Sequence, residues 1–318
     1  MAERLKVKVS LRKEEAIGIV GIELRPLDGK ELPIFTPGSH IDLLLPNGLT
    51  RQYSLLNDCR ERDRYLIAVS KAVDSRGGSQ YVHTSLSVDA TLQISEPRNN
   101  FALQPECRSF VFVAGGIGIT PILSMIRYCE AEQFEWRLLY LSRGREFAAF
   151  RHELEQYGSE RVTFHFDDEA GCHFSFDSLD LVMEAGVPIY CCGPAPLMNA
   201  VADFSSRRPD NPAHFEWFAP PKEVVGNAPT RGFSVKLHCS GQVFHVPEDK
   251  TILEVLESNG YELSCSCREG MCRTCETTVI DGIPDHRDYV LSRDERSAGR
   301  TMMICVSRAN SPTLVLDI

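Results

Sequence analysis

One loop near the end of the chain constrains the fold more than any other feature, because it must bring cysteines together. Three of them follow the spacing C-x4-C-x2-C, and a fourth lies in a later apolar run that predicts a strand: Cys267, Cys272, Cys275 and Cys305. This is the ligand spacing of plant-type [2Fe-2S] centres. Small residues at Ser266, Gly270 and Thr274 allow a tight turn and let backbone N–H groups point at sulfur. The pattern predicts a two-iron cluster.

Three other uses of these cysteines are open at this point. A disulfide framework is typical of short secreted chains, whereas this chain has 318 residues and shows no secretory signal. Structural zinc also takes four thiolates, but usually from two C-x2-C pairs, and only one such pair is present here. Buried free thiols are the third alternative. Cys265 falls outside the ligand spacing and is predicted to pack against its neighbours or to face solvent.

Length and charge restrict the class of protein. A chain of 318 residues predicts two or three domains, because a single core seldom grows that large. No apolar run approaches the ~20 residues that a membrane helix needs. The net charge of −10 argues against nucleic acid as the main partner, because phosphate binding needs a basic face. We therefore expect a cytoplasmic protein with reduced thiols, without a membrane span and without a nucleic-acid partner.

Residues 1–105 predict an antiparallel β-barrel, because short alternating segments are separated by turns and long helices are absent. The predicted strands are 5–9, 17–22, 40–45, 65–69 and 91–94. Two segments there have features of an anion site: Arg51-Gln52-Tyr53-Ser54, and Arg76-Gly77-Gly78-Ser79 before a possible helix, whose N–H groups would face a phosphate. Each segment taken alone fits an ordinary strand or a plain turn equally well.

Residues 106–226 alternate apolar runs with helical stretches, which predicts a parallel α/β sheet. A strand at 109–114 leads into the glycine loop 115–121 and a helix, an arrangement in which backbone approaches a pyrophosphate, although G-x-G-x-x-G is not present. Further strands are predicted at 136–141 and 187–191. The second of these leads into a loop beginning at Cys192, which by itself also fits a structural turn. Residues 214–218 form the last segment of this part of the chain, and they also fit a strand end packed on the core.

The last part of the chain has a different composition. Residues 219–232 are rich in Pro and Gly and lack periodicity, which predicts a linker. Residues 233–318 then predict a hairpin, a helix and the cluster loop, in the β-grasp order of plant-type ferredoxins. We therefore expect a β-barrel domain at 1–105, a nucleotide-binding α/β domain at 106–226 and a ferredoxin domain at 233–318.

Taken together, these segments resemble the family of phthalate and vanillate oxygenase reductases, which carry flavin, NAD and ferredoxin modules in this order. The resemblance extends over the whole chain and includes 98–101, 114–121, 285–288 and 314–317. Two positions differ from the family. Arg273 stands where a glycine is usual, which raises a question about the local turn, and Gly144-Arg145 replace an acidic residue and a proline.

The resemblance implies three cofactors, FMN, NADH and a [2Fe-2S] cluster, and a transient complex between a monomer and a terminal Rieske-type oxygenase. Near the reacting atoms it implies Ser54, Thr120, Cys192 and Glu216. For cofactor binding it implies Arg51, Gln52, Tyr53, Ser54, Ala68, Val69, Ser70, Gly77, Gly78, Ser79, Gly115, Gly116, Gly118, Thr120, Pro121, Ser142, Arg143, Cys192, Gly193, Pro194, Met198 and Phe218. Phe218 is the aromatic expected to cover the second face of the flavin.

Electron counting agrees with these cofactors. A nicotinamide gives up two electrons as a hydride and a [2Fe-2S] centre accepts one, so a flavin is needed between them. Arg143 and Arg145 are compatible with a 2′-phosphate site, whereas the resemblance implies NADH. Phthalate is the expected pathway. The alternatives are the same relay serving vanillate demethylase or a quaternary-amine monooxygenase, and a zinc-stabilised, non-catalytic binding protein.

Overall fold

The computed structural model describes residues 4–73, 75–176, 185–219 and 231–318. The chain divides into two compact units, Met1–Phe218 and Ala219–Ile318. Most of the predicted linker, residues 220–230, lies outside the described residues. Within the described ranges, every helix is too short or too polar to cross a membrane.

The first unit begins with a seven-stranded antiparallel sheet. Its strands are β1 Leu5–Ala16, β2 Ile19–Pro26, β3 Ser39–Leu44, β4 Thr50–Ser54, β5 Tyr65–Ser70, β6 Thr91–Ile94 and β7 Arg98–Asn99, and helix α1 spans Gly78–Thr84. The order is β4-β3-β6-β1-β2-β5, with β7 paired to β3. Just after β4, the backbone N–H of Leu56 donates to the carbonyl of Leu66 in β5 at 3.0 Å. The two ends of the strand order therefore lie close together.

Alternation of side chains explains the core of this sheet. In β1, Val7 and Val9 are fully buried while Lys6 is exposed, as expected for a strand with one face towards the core. A turn at 46–48 joins β3 to β4. The Arg51–Ser54 segment lies on β4, at one end of the strand order.

A five-stranded parallel sheet follows in the same unit, in the order β10-β9-β8-β11-β12. Its strands are β8 Ser109–Gly115, β9 Glu135–Ser142, β10 Val162–Phe166, β11 Ile189–Cys192 and β12 Ala213–Glu216. The helices are α2 Ile119–Glu132, α3 Arg151–Glu155, α4 Asp167–Ala170 and α5 Ala195–Ser206, with 3-10 turns at Gly116–Gly118 and Arg145–Phe147. Strand order reverses between β8 and β11, and such a switch point is where α/β sheets bind ligands.

The second unit contains a mixed sheet in the order β14-β13-β19-β15-β17. Its elements are β13 Phe233–Leu237, β14 Val243–Val246, α6 Ile252–Ser258, β15 Glu276–Asp281, β16 Pro284–Asp285, α7 Arg293–Ala298, β17 Thr301–Met303, β18 Arg308–Ala309 and β19 Thr313–Leu316. Strands β13 and β19 are parallel, and β16 pairs with β18. Capping boxes at Thr251 and Ser292 fix the starts of α6 and α7.

The prediction that Cys305 lies in a strand is wrong. Strand β17 ends at Met303, and Cys305 lies in the turn that follows, where Val306 and Ser307 donate backbone hydrogen bonds to the carbonyl of Met303. The apolar run at 302–306 misled the prediction because Met302, Met303 and Ile304 are buried in the core of the unit. A buried apolar run of this length is compatible with a strand or a turn.

Candidate functional site

The four cysteines with the ligand spacing meet in the second unit. The thiol of Cys267 contacts those of Cys272 and Cys305, and the thiol of Cys275 contacts that of Cys305. The contact with Cys272 is the largest cause of the lowered pKa of Cys267, and the contact with Cys305 is the second largest. Cys272, Cys275 and Cys305 are buried. Four converging thiols, two of them (Cys267 and Cys275) with a lowered pKa, are the donor set that a [2Fe-2S] cluster requires.

Polar groups of the loop are directed at this sulfur-rich centre. The backbone N–H groups of Glu269 and Met271 each donate to Cys267 Sγ at 3.4 Å. The Oγ atom of Ser266 is buried and has no hydrogen-bond partner among the described residues, and the Thr274 hydroxyl lies beside the Cys272 thiol. Buried donors without an internal acceptor fit the sulfide of a bound cluster, where such hydrogen bonds tune the potential.

Cys265 lies closer to this centre than its position outside the spacing indicates. Its thiol contacts that of Cys275, and this contact is the largest cause of the lowered pKa of Cys275. The side chain is half-buried and packs against the core of the second unit. It therefore lies beside the four-cysteine set.

Arg273 lies in the turn at which the sequence differs from the family that it resembles. Its φ is +56°, in the left-handed region where glycine is favoured. The guanidinium donates from Nη2 to both carboxylate oxygens of Glu295 at 2.8 Å and to the carbonyl of Val290 at 3.1 Å. The ion pair with α7 therefore holds an arginine in a conformation that a glycine would adopt without strain.

In the first unit, the two predicted anion-binding segments lie against each other. A Cβ atom added at Gly78 would lie 2.7 Å from both Cγ and Nε of Arg51. Arg51 also donates from Nη2 to the carbonyl of Arg76 at 3.0 Å. Gly77, with φ +86°, precedes α1, and Ser79 donates from Oγ to Ser75 Oγ at 3.0 Å. A guanidinium close to backbone N–H groups is a fitting cradle for one phosphate.

A second group of side chains converges where the two sheets of the first unit meet. Ser54 Oγ donates to Glu216 Oε2 at 3.1 Å, across 162 positions of sequence. Cys192 is the register partner of Glu216 in the pairing of β11 with β12. Burial raises the pKa of Glu216 to about 8 and raises the pKa of the Cys192 thiol. Both groups are therefore predominantly neutral at pH 7.

The glycine loop and the Cys192 loop touch through their backbones. A Cβ at Gly118 would lie 2.1 Å from the carbonyl oxygen of Cys192, and a Cβ at Gly115 would lie 2.6 Å from Cδ of Pro194. Gly116 has φ +54° and open space beside it. Only residues without a side chain permit this approach. The two loops together form the carboxyl edge of the sheet at its switch point.

The other predicted site residues make contacts of their own. Thr120 donates from Oγ1 to the carbonyl of Ile117 at 3.1 Å, Ser142 donates from Oγ to the carbonyl of Gly144 at 3.1 Å, and Gln52 donates to Asp42 at 3.0 Å. Burial raises the pKa of Tyr53 to about 12, so its phenol stays neutral. Phe218 is 42% exposed, which leaves its ring available to a ligand.

Some predicted residues do not present side chains to a ligand. Ala68, Val69 and Met198 are buried in the hydrophobic clusters of the first unit. Ser70 pairs with Ile19 in the sheet, Pro121 is buried in the first turn of α2, and Gly193 packs against Gly115. These residues can contribute to a site mainly through their backbone.

Sequence reasoning missed the acidic residues after β10. Asp168 and Glu169 lie at the carboxyl end of that strand, close to the predicted Ser142–Arg143 segment. An alternating run at 162–166 followed by Asp167-Asp168-Glu169 was the available signal. Strand β10 itself was not predicted, so these acids were not assigned to the edge of the sheet.

Comparison with known proteins agrees with this architecture. The family model described as the 2Fe-2S iron-sulfur cluster binding domain matches residues 235–310. The zinc alternative is therefore wrong. The chain is 45% identical over 302 residues to tetrachlorobenzoquinone reductase of Sphingobium chlorophenolicum, covering 93% of this chain and 92% of that protein. It is 42% identical over 316 residues to the phthalate 4,5-dioxygenase oxygenase reductase subunit of Pseudomonas putida, covering 98% and 96%.

Solved structures give the same result. A crystal structure of phthalate dioxygenase reductase matches with a TM-score of 0.72 and 39% identity, over 99% of this chain and 98% of that one. An intact type IV self-sufficient cytochrome P450 monooxygenase matches with a TM-score of 0.91 and 38% identity, and this chain spans 41% of its length. The chain therefore belongs to the phthalate dioxygenase reductase family, oxidoreductases that join a flavin- and NAD-binding reductase fold to a [2Fe-2S] domain.

Proposed function

We propose that this chain is the reductase component of a two-component aromatic-ring oxygenase of the phthalate dioxygenase type. It takes a hydride from NADH onto FMN and passes single electrons through the [2Fe-2S] cluster to a terminal Rieske-type oxygenase. The single observation that supports this most strongly is that one chain contains both the Ser54–Glu216 contact at the carboxyl edge of a nucleotide-type parallel sheet and four converging thiols. The Ser54–Glu216 region would be the hydride entrance, where two electrons arrive from the nicotinamide. The four-thiol site would be the one-electron exit, where electrons leave one at a time.

The residues of the first unit would bind and orient the two organic cofactors. Bound FMN supplies the conversion of a two-electron donor into a one-electron donor. Arg51, with the backbone around Gly78, would hold its phosphate, and Ser54 would lie near its reactive edge. The loops at Gly118 and Cys192 would hold the nicotinamide nucleotide, and the neutral Glu216 carboxyl would hold a proton beside Ser54. Phe218 would cover the flavin.

The residues of the second unit would form the exit. Cys267, Cys272, Cys275 and Cys305 would hold the cluster, and the N–H groups of the loop would stabilise its negative charge. The cofactors would supply the hydride and electron-transfer chemistry, and the residues named above would bind and orient them. The chain therefore needs no side-chain nucleophile.

Loss of the phosphate contact should weaken flavin binding. We expect Arg51→Ala to cost on the order of 1.5–3 kcal/mol in FMN affinity, a roughly 10–150-fold higher Kd, because a charge-assisted bond is lost. Equilibrium titration with FMN measures this directly. Arg12→Ala is the matched control, because Arg12 is an exposed arginine of the same sheet that binds the carbonyl of His83 at the end of α1. Equal FMN affinity in Arg51→Ala and the wild-type chain would remove Arg51 from the site.

Truncation tests the proposed order of the relay. A chain ending at Gly226 retains the first compact unit, so we expect it to bind FMN and to reduce ferricyanide with NADH. It should not drive cytochrome c or an oxygenase efficiently, because the one-electron exit lies in 233–318. The isolated 233–318 fragment should hold a cluster and ignore NADH. A flavin-loaded 1–226 fragment that drives the oxygenase at the full-length rate would show that the cluster is not the exit.

The partner and its substrate belong to this proposal. We propose a monomer in the cytoplasm that forms a transient complex with its oxygenase. Relatives named as carnitine monooxygenase reductase subunit of Escherichia coli and vanillate O-demethylase oxidoreductase of a Pseudomonas strain are 41% and 40% identical, so those two clients stay alternatives to phthalate. Reconstitution with each oxygenase, measured as NADH-dependent product formation, decides among them.

A second candidate function is direct reduction of a quinone. It is favoured by the 45% identity to tetrachlorobenzoquinone reductase over nearly the whole of both chains. This function uses the same hydride entrance and differs only in the acceptor. NADH oxidation with a halogenated benzoquinone at a rate above that with any oxygenase would favour it.

A further inference from the structure

The carboxyl end of β9 is where the adenosine ribose of a dinucleotide belongs, an assignment that depends on the function proposed above. In doubly wound sheets the glycine loop follows one strand, and the 2′ position of the ribose is read by residues near the end of the next. Here the glycine loop follows β8, and β9 ends at Ser142. Arg143 and Arg145 come directly afterwards. Arginine near this position accommodates the 2′-phosphate of NADP, so residue type alone would favour NADPH.

Arg145, however, is already bound within the chain. Its Nε and Nη2 atoms donate to the two carboxylate oxygens of Glu169, with an Nη2–Oε2 distance of 2.8 Å. The guanidinium carbon also lies 4.7 Å from the ring centroid of Phe166. A guanidinium that forms a bidentate pair and stacks on a ring presents fewer donors to a phosphate. Glu169 lies on α4, directly after β10, so the pair bridges the ends of two adjacent strands.

Other carboxylates face the same loop. The backbone N–H of Asp168 donates to the carbonyl of Arg143 at 3.0 Å, which ties α4 to the end of β9. A Cβ at Gly144 would lie 2.5 Å from Asp168 Oδ2 and 3.0 Å from Glu146 Oε2. The guanidinium carbon of Arg143 lies 4.6 Å from the ring centroid of Phe147. Three carboxylates, those of Glu146, Asp168 and Glu169, thus lie at the loop that carries Arg143 and Arg145, so acidic groups outnumber basic ones there. A phosphate dianion meets repulsion there, whereas a ribose hydroxyl brings no charge.

We propose that Glu169 makes this chain select NADH over NADPH by occupying Arg145, which is then not free to pair with the 2′-phosphate of NADPH. Glu169 acts through Arg145, so it is a positioning residue. This assigns a function to the acidic segment after β10. It also explains how a chain with two arginines at this edge uses the nucleotide that lacks the phosphate.

The Arg145–Glu169 ion pair is exposed, so Glu169 can be replaced with little effect on folding. The side chains of Arg145 and Glu169 are 53% and 48% exposed, and ion pairs at the surface contribute little to folding. Replacing Glu169 should therefore change nucleotide choice without unfolding the chain. The choice between NADH and NADPH should change because the substitution releases Arg145 from its ion pair.

Steady-state kinetics of the full-length holoenzyme with ferricyanide tests the proposal. In Glu169→Gln we expect kcat/KM for NADPH to rise about tenfold or more, mainly through KM, because Arg145 becomes free to pair with phosphate. The value for NADH should stay within about threefold, since the lost pair is exposed. Glu31→Gln is the matched control, because Glu31 forms an exposed ion pair with Arg62 elsewhere in the first unit, at 2.6 Å. It should leave the ratio unchanged.

A double-mutant comparison isolates Arg145. In the wild-type background Arg145→Ala should not raise NADPH use, because Glu169 remains, and in the Glu169→Gln background it should abolish the gain. Binding supplies a readout besides turnover: 2′,5′-ADP should compete better against NADH in Glu169→Gln, while 5′-AMP should not. No gain in Glu169→Gln, or a gain that persists when Arg145→Ala is added, overturns the proposal. A wild-type chain that oxidises neither nucleotide would instead contradict the proposed function.

Discussion

The Cys272→Ser variant is expected to lose its iron–sulfur cluster and, with it, electron delivery to an oxygenase or to cytochrome c. A serine oxygen is a hard donor that replaces a soft thiolate at a buried ligand position. The loss should exceed the roughly 10–100-fold that removal of an outer hydrogen-bonding partner costs a metal site. Iron and sulfide content, together with the visible absorption of the cluster, measure it. NADH-to-ferricyanide activity should persist, because the hydride entrance lies in the other compact unit.

Cys265→Ser is the matched control for this variant. Cys265 is in the same loop, and its thiol contacts that of Cys275, so the substitution perturbs the surroundings of the cluster without removing a predicted ligand. We expect normal iron content and normal electron delivery. Normal iron in Cys272→Ser combined with loss of iron in Cys265→Ser would reverse the ligand assignment.

The second large effect concerns the pH dependence of stability and arises from Glu216. Burial raises the pKa of this carboxyl from 4.5 to about 8 in the folded chain. The folded chain therefore holds the Glu216 proton more tightly than the unfolded chain does. The contribution of this carboxyl to the free energy of unfolding is fully present below about pH 4.5 and is lost as the pH rises to about 8. The loss is on the order of 4 kcal/mol. Glu216→Gln removes the ionisable group, so the variant should not show this decline.

Thermal unfolding at saturating FMN, followed by flavin fluorescence, measures the difference. At about 2–4 °C per kcal/mol for a unit of this size, the Tm of Glu216→Gln relative to wild type should rise by about 10 °C between pH 5 and pH 9. Glu160→Gln, at an exposed carboxylate, is the control and should follow the wild-type curve. Parallel curves for Glu216→Gln and wild type would show that Glu216 is not buried as an acid.

The architecture follows from patterns that are local in sequence. Alternation predicted the barrel strands, and the strand–glycine–helix succession at 109–126 predicted the parallel sheet, because these periodicities reflect which face of an element is buried. The spacing of Cys267, Cys272 and Cys275 predicted the iron–sulfur domain, because three ligands of this centre come from one loop. Such features need no knowledge of long-range contacts.

Contacts between distant segments could not be obtained in the same way. Ser54 meets Glu216 only because the edge of the antiparallel sheet lies beside the end of β12. The left-handed turn at Arg273 depends on a carboxylate from α7, and the position of Cys305 in a turn depends on burial around Met303. A pattern along the chain carries no information about which partner a side chain will find.

The loop after β9, at the carboxyl edge of the parallel sheet, shows most clearly what sequence and tertiary structure each determine. The sequence by itself determined that Arg143 and Arg145 follow a strand at the carboxyl edge of a parallel sheet, because strand and loop succession is written in the order of residues. Only the tertiary structure decided that Arg145 is paired with Glu169 and that Asp168 closes the space beside Gly144. The physical reason is that charge at a site is the sum over all elements packed there, and β10 brings its acids from a separate part of the chain.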